Sequence, residues 1–564
     1  MKLFSNFALF SLGIEARKPN VILLITDDFG VGDFTIYNRE AKVPTPNIDR
    51  IGHEGVNFLG ATSASSRCSP SRYMLMTGRY SMEDKEARII NEGEPHLAEM
   101  FKKSGYKTGL FGKQQPLPNG INIENFTQEH FEIFRKRNQE AHKYRKEVGR
   151  FPNTHNVFQE FGNYIQTKPP QLLDYDYSFT QPGLCCNPGL FFENGKSTEP
   201  AETWVQQQPY PENTPVENFN SNGYSFPYTG YFGPAGHVEN MTDPHQLGVY
   251  YLTWARQTIA GKSFDSREVE QETTRKLETF IDENHEDPFF AYYGLQSGHA
   301  PFNTPARFRN QTEVGLFGEV IMEADEIVGR VLDKLEEHNI ANDTLVIFMS
   351  DNGPTTTGKQ ILKKWGHNQW LLDLPESNVG PERTVELQGF KNEMGEASHR
   401  TPFLWRYPRK FEPSIGFNKT IYEPKVQVST VDIYATLAEL IDYDLGCNEA
   451  PDSRSLVSYL ETGEASYEVK KKPIMTHAYT PGKYIGIRKG NMKYVPGAEE
   501  FFNTEWDPEE ENNLFGEEKN KKFISYLDQY IADWLKHIDA REEATKRGAD
   551  KENCYPQFEQ FNWL

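Results

Sequence analysis

Two short apolar runs stand out from an otherwise mixed chain. Residues 21–25 read VILLI and lead directly into Thr26, Asp27 and Asp28; residues 345–349 read LVIFM and lead into Ser350, Asp351, Asn352 and Gly353. Continuous apolar runs of this length suit strands covered on both faces. Helical spacing precedes the second run, where Val320, Ala324, Ile327, Val331 and Leu335 share one face. Val269, Leu277, Phe280 and Ile281 do the same ahead of PFFAYYGL. Helices alternating with buried strands predict an α/β fold, an α/β/α sandwich around a large mixed sheet.

From about 114 to 261 the pattern dissolves into Asn, Gln, Pro, Tyr and Phe, which predicts long loops and insertions on the substrate face. Beyond 447, short β-like pieces (KYIGIRKGNMKYV) and a helix over about 520–537 predict a smaller C-terminal α+β domain. The expected organisation is a main domain over 17–446 and a smaller one over 447–564, with no internal repeat. No apolar run approaches membrane-spanning length, so no transmembrane span is predicted.

Charge narrows the partners. The 564 residues carry 60 basic against 81 acidic side chains, a formal net charge of −21, with the signs interspersed. No basic block exists to neutralise phosphates, which argues against nucleic acid. An anionic substrate is repelled at long range, so a site for one must gather its own cations. Residues 1–16 (MKLFSNFALFSLGIEA) have a lysine, a short apolar run and a small final residue, resembling a secretory signal peptide. Sequons begin at Asn125, Asn240, Asn310, Asn342 and Asn418. Together these predict a secreted or lysosome-like glycoprotein. Five cysteines leave one over in an oxidising compartment. By elimination Cys185 and Cys186 pair with Cys447 and Cys554, which leaves Cys68 free.

The chemistry starts with the acids. Asp27–Asp28 and Asp351–Asn352 at two strand ends would gather three carboxylates and an amide oxygen, a set that suits Ca²⁺ or Mg²⁺. An isolated Asp pair more often caps a helix or sits in a turn. Two pairs at strand ends bring the metal reading level with that one, because open α/β sheets bind ligands there. Cys68 lies in RCSPSRYMLMTGR, among three arginines, where a thiol is expected to be acidic and reactive. It can be a nucleophile, half of a disulfide, or the precursor of another group.

The stretch CSPSRYMLMTGR fits Cys-x-Pro-Ser-Arg followed by Leu, Thr-Gly and Arg at fixed offsets, and resembles the sulfatase signature. PTPNIDRIGHEGVNF (44–58), GYKTGLFGK (105–113), SGHAPF (297–302), TLVIFMSDNG (344–353) and FFNTEWDPEEENNL (501–514) resemble further blocks of that family, in family order. The resemblance, part of the wider alkaline-phosphatase-like group, implies that Cys68 becomes formylglycine through a formylglycine-generating enzyme during secretion. A hydrated aldehyde carries two hydroxyls on one carbon: one attacks sulfur, and the other, once deprotonated, expels sulfate. A serine has no second hydroxyl. The resemblance also implies that Asp27, Asp28, Asp351 and Asn352 bind the cation and that Arg72 holds the nucleophile loop. Lys113 would bridge nucleophile and sulfate, and His299 would stand near the leaving-group oxygen. Lys391, five residues before Glu396 in KNEMGEASHRTP, matches a second sulfate-binding lysine, although Ala397–Ser398 replaces the family's Gly-Gly.

One departure concerns catalysis. The family reads Gly-Lys-x-His where this chain has Gly112–Lys113–Gln114–Gln115, so the expected proton acceptor is a glutamine, which cannot serve as a base at neutral pH. His130, His142 or His155 from the insertion could substitute. The expected function is hydrolysis of aryl or glycan sulfate esters with a formylglycine nucleophile and a bound divalent cation. The alternatives are an impaired relative that binds sulfate esters, and a phosphatase or phosphodiesterase. Phosphatase chemistry would call for a Ser or Thr nucleophile and a two-metal site with more histidines.

Overall fold

The computed structural model describes residues 18–80, 90, 93–114, 136, 139–140, 143, 147, 175–182, 189–199, 203–205, 230–233, 237–240, 258–260, 263–299, 302–355, 369–372, 383–411, 419–421, 426–446, 448–478 and 485–546. The leader-like residues 1–16, Gln115, His130, His142, His155, Cys185, Cys186, Cys447 and Cys554 lie outside the described residues.

The main sheet has ten strands. In chain order they are β1 (Asn20–Thr26), β2 (Val56–Phe58), β3 (Lys107–Gln114), β4 (Tyr177–Pro182), β5 (Phe192–Glu193), β6 (Lys196–Ser197), β7 (Phe289–Gly294), β8 (Thr344–Ser350), β9 (Phe403–Arg406) and β10 (Lys419–Ile421). Their spatial order is β10-β2-β9-β8-β1-β7-β3-β4-β5-β6. The central strands β8, β1, β7, β3 and β4 run parallel, while β9 pairs antiparallel with β8, so the sheet is mixed.

The two apolar runs of the sequence are β1 and β8, adjacent and in register from Asn20 opposite Thr344 to Thr26 opposite Ser350. Their alternate residues face opposite ways, as a strand requires. Val21, Leu23, Ile25, Leu345, Ile347 and Met349 belong to one core; Ile22, Leu24, Val346 and Phe348 belong to the other. The second core is closed by α1 (Pro46–His53), α4 (Val269–Asn284) and α5 (Leu316–Glu337). Val320, Ala324, Ile327, Val331 and Leu335 of α5 all lie buried in it, as their spacing predicts. The first core is closed by α2 (Cys68–Thr77), α3 (Leu97–Lys103) and α6 (Ile433–Leu440). The result is the expected α/β/α sandwich.

Strand β4 lies inside the stretch whose composition predicts loops. It pairs parallel with β3 from Gly109–Tyr177 to Gln114–Pro182. Its sequence, YSFTQP, hides a strand because Ser178, Thr180 and Gln181 are buried polar residues that break the apolar pattern.

The C-terminal portion forms a four-stranded antiparallel sheet of β11 (Ile474–His477), β12 (Ile485–Lys489), β13 (Met492–Val495) and β14 (Glu500–Asn503) in sequential order. The helix expected over 520–537 runs as α7, Lys521–Lys546. Met475, Ile487, Tyr494, Leu527 and Trp534 share one continuous core with Leu23 and Ile347 of the main sheet. Among the described residues no helix is long and apolar enough to cross a membrane.

Candidate active site

The parallel register of β1 and β8 ends both strands at the same level, so Asp27–Asp28 and Asp351–Asn352 emerge side by side. The next parallel strands deliver Lys113 near the end of β3 and, after β7, a turn that leads to His299. Carboxyl ends of parallel strands are where α/β sheets place ligands. Cys68 is the first residue of α2, which ends at Gly78 in the left-handed conformation (φ 62°), its N–H donating to the Met74 carbonyl at 2.8 Å. Cys68 is buried and forms no disulfide within the described residues. Ligating atoms of Asp27, Cys68 and Asp351 lie within 4.8 Å of one another, as do those of Asp27, Asp28 and His299.

Three cations answer the three carboxylates. The Arg72 guanidinium, fully buried, donates from Nε to Asp351 Oδ2 at 2.6 Å, from Nη1 to the Tyr292 hydroxyl at 3.2 Å and from Nη2 to the Thr26 carbonyl at 3.2 Å. Its Nη2 also stands 3.8 Å from Asp27 Oδ2. Lys113 forms a buried ion pair with Asp27. Lys391 Nζ lies 2.7 Å from the Asp28 carboxylate. The acidic cluster, whose composition suits a divalent cation, therefore also has side-chain cations of its own.

These charges set the proton affinities. Burial alone would raise Asp27, but Lys113, His299, Lys391 and Arg72 together hold it below the usual carboxylate range. Burial, with Asp27 and Asp351 beside it, pushes Asp28 up to about 7 against the pull of Lys391. Burial also raises Asp351. Asp27 and Asp28 draw Lys113 and Lys391 above the usual lysine range despite burial, so both ammonium groups stay charged.

The oxygens left over bear on a metal. Asp27 Oδ1 and Asn352 Oδ1 are buried without a hydrogen-bond partner, while Asn352 Nδ2 donates to Asp28 Oδ1 at 2.8 Å and so turns its own oxygen away from that bond. Buried acceptors left unsatisfied are costly, and a hard divalent cation satisfies such oxygens. The donor set fits Ca²⁺ or Mg²⁺. With three carboxylates balanced by three cations, a bound divalent ion would leave the site positive, which suits a sulfate monoester.

All nine sequence-derived residues meet here: Asp27, Asp28, Cys68, Arg72, Lys113, His299, Asp351, Asn352 and Lys391. The Ala397–Ser398 departure is accommodated, since the Ala397 N–H donates to the Gln388 carbonyl at 2.8 Å and the Ser398 carbonyl accepts from Gly353 N at 3.0 Å. Two contributors escaped sequence reading. Tyr292 supports Arg72. Glu270, on the buried face of α4, fastens the turn leading to His299: its Oε1 accepts from Gln296 N at 2.5 Å and Ser297 N at 3.2 Å, and its Oε2 from the Tyr293 hydroxyl at 2.7 Å. The next residue, Gly298 (φ 97°), passes so close to Asp27 that a Cβ would lie 2.0 Å from its carbonyl oxygen. A charged residue on an otherwise buried helical face was the available signal for Glu270. Glu270→Leu is expected to cost about 2–3 kcal/mol, because it strands buried N–H groups. Glu270→Gln, whose amide oxygen can accept both bonds, is expected to stay near wild type. Urea denaturation of both variants checks this.

Comparisons with known proteins bear on the family and the fold. The family model described as Sulfatase matches residues 19–175 and 189–443. N-acetylgalactosamine-6-O-sulfatase of Bacteroides thetaiotaomicron is 27% identical over 512 residues, covering 86% of this chain and 83% of its own. Arylsulfatase H of Homo sapiens is 25% identical over 477 residues, covering 80% and 73% respectively. A solved structure from work on the metabolism of multiple glycosaminoglycans by Bacteroides thetaiotaomicron matches in fold, with a TM-score of 0.65 at 24% identity over 92% of this chain and 99% of that one.

Proposed function

The chain belongs to the sulfatase family, and from that premise we propose that it is a sulfuric-ester hydrolase acting on aryl or glycan sulfates. The observation that carries the reading is the meeting of Cys68, three buried cations and His299 around an oxygen-ligand set. Cys68 is the site of formylglycine, made by a formylglycine-generating enzyme in the secretory pathway. As its hydrate, formylglycine supplies one hydroxyl to attack sulfur and a second whose deprotonation releases sulfate. A Ca²⁺ ion (or Mg²⁺) held by Asp27, Asp28, Asp351 and Asn352 would lower the cost of negative charge on oxygen.

The chain's own residues do the rest. Arg72 locks Asp351 and Thr26, and with them the start of α2, so the group at position 68 is fixed before substrate arrives. Lys113 and Lys391 remain protonated and would stabilise the charge that grows on the sulfate oxygens in the transition state. His299 would protonate the leaving alcohol. Glycan sulfate is the favoured class, since a 27% identical relative is named for N-acetylgalactosamine 6-O-sulfate chemistry. Passage through the secretory pathway accords with the leader-like residues 1–16 and with exposure of the sequon residues Asn310 and Asn342. The main catalytic domain would span 17–446, with 447–564 as the smaller domain.

The test is sulfate release from sulfated aryl and N-acetylgalactosamine substrates by protein secreted from a eukaryotic host, with mass spectrometry of the peptide containing residue 68. Formylglycine and calcium-dependent sulfate release, lost in Cys68→Ala, are expected. Binding without release would favour the impaired reading marked by Gln115, and faster release from a phosphate ester would overturn the sulfatase assignment.

A further inference from the structure

The residues just before Cys68 are held by the C-terminal sheet as well as by the sandwich. Strand β11 ends at His477, and its backbone joins the turn in a parallel bridge: His477 N donates to the Ala64 carbonyl at 3.0 Å, and Ser66 N donates to the His477 carbonyl at 3.1 Å. The side chains repeat the link. Ser65 Oγ is 2.9 Å from His477 Nδ1 and also accepts from Arg67 N at 3.2 Å. Arg67 is the N-cap of α2, next to Cys68. An imidazole in the smaller domain thus connects through one hydroxyl to the peptide that starts the nucleophile helix.

The same sheet also holds the Lys391 segment. Asn392 N donates to the Ser66 carbonyl at 2.8 Å, tying that segment to the nucleophile turn. Glu396 accepts from Arg488 of β12 at 2.5 Å and donates its N–H to Glu510 at 2.7 Å, and Glu510 pairs with Lys493 of β13. Burial pushes His477 down to about 4, so the ring is neutral at and below neutral pH and its bond to Ser65 persists in an acidic compartment.

We propose that the C-terminal sheet is a positioning element of the active centre, with His477 setting the orientation of Cys68 through Ser65 and Arg67. The proposal rests on Cys68 being the nucleophile. A displacement of the reacting group by about 1 Å costs on the order of 10²-fold in rate. His477→Leu, which removes the ring nitrogen, is therefore expected to lower kcat by roughly 10–100-fold with KM nearly unchanged. His477→Asn, whose amide falls near the position of Nδ1, is expected to restore most of the loss. Hydrogen exchange in the peptide spanning 65–72 should quicken in His477→Leu while β1 and β8 keep their protection. Ser65→Ala, which deletes a single oxygen, should act in the same direction and serves if the leucine variant does not fold. An unchanged kcat in His477→Leu or Ser65→Ala, or exchange that rises uniformly across the protein, would overturn the proposal. If the wild type releases no sulfate, the functional reading fails, and exchange in 65–72 still decides whether His477 holds the turn.

Discussion

Cys68→Ser is expected to release no more than one equivalent of alcohol per enzyme and no free sulfate, with steady-state turnover reduced on the order of 10⁴-fold or more. Serine is nearly isosteric with cysteine, and Cys68 is buried at the first position of α2 within reach of Asp27 and Asp351. The substitution therefore leaves the cations, the acids and the helix start in place and changes only the chemistry of the attacking atom. A single hydroxyl can attack sulfur once, but it has no geminal partner from which to expel sulfate. Stopped-flow detection of the alcohol, paired with sulfate quantification, reads both halves of the cycle. Cys68→Ala should give neither the burst nor turnover. Continuous sulfate release by the serine variant would mean that the second hydroxyl is not needed, and the formylglycine reading would fall.

The sequence discloses the sandwich and the ligand set because both rest on short, continuous signals. β1 and β8 are apolar throughout and end in acids, so each can be read without knowing its neighbours. That they are adjacent, with over 300 residues between them, follows from tertiary pairing that periodicity does not encode. Cys68, Arg72, Lys113, His299 and Lys391 were legible through motif blocks, since a single lysine or histidine carries no signal of its own. The supporting residues were illegible for the opposite reason. Glu270, Tyr292 and His477 act from other elements, 26 residues from Gln296, 220 from Arg72 and 412 from Ser65 respectively, and none falls in a catalytic motif. β4 was missed because buried serine, threonine and glutamine side chains broke the apolar alternation.

Arg72→Leu is expected to destabilise the protein by about 3–5 kcal/mol, the cost of leaving a buried ion unpaired. The guanidinium is the only side chain seen to bond Asp351, the Tyr292 hydroxyl and the Thr26 carbonyl together among the described residues. Removing it turns a balanced set of three carboxylates and three cations into one with a buried excess negative charge, which in the absence of a bound cation a proton on one of the carboxylates would relieve. Arg72→Lys should recover part of the loss, because one ammonium cannot reach three partners in a plane as a guanidinium does. The urea midpoint of each variant measures these costs, and repeating the series with calcium adds a second decision. A divalent ion bound by Asp27, Asp28, Asp351 and Asn352 would supply the missing positive charge and stabilise the folded state by mass action, so the penalty for Arg72→Leu should shrink as calcium rises. A urea midpoint that calcium leaves unchanged in the wild type and in both variants would mean that these oxygens do not take the cation, and the metal assignment would have to be withdrawn even if Arg72 proves essential to the fold.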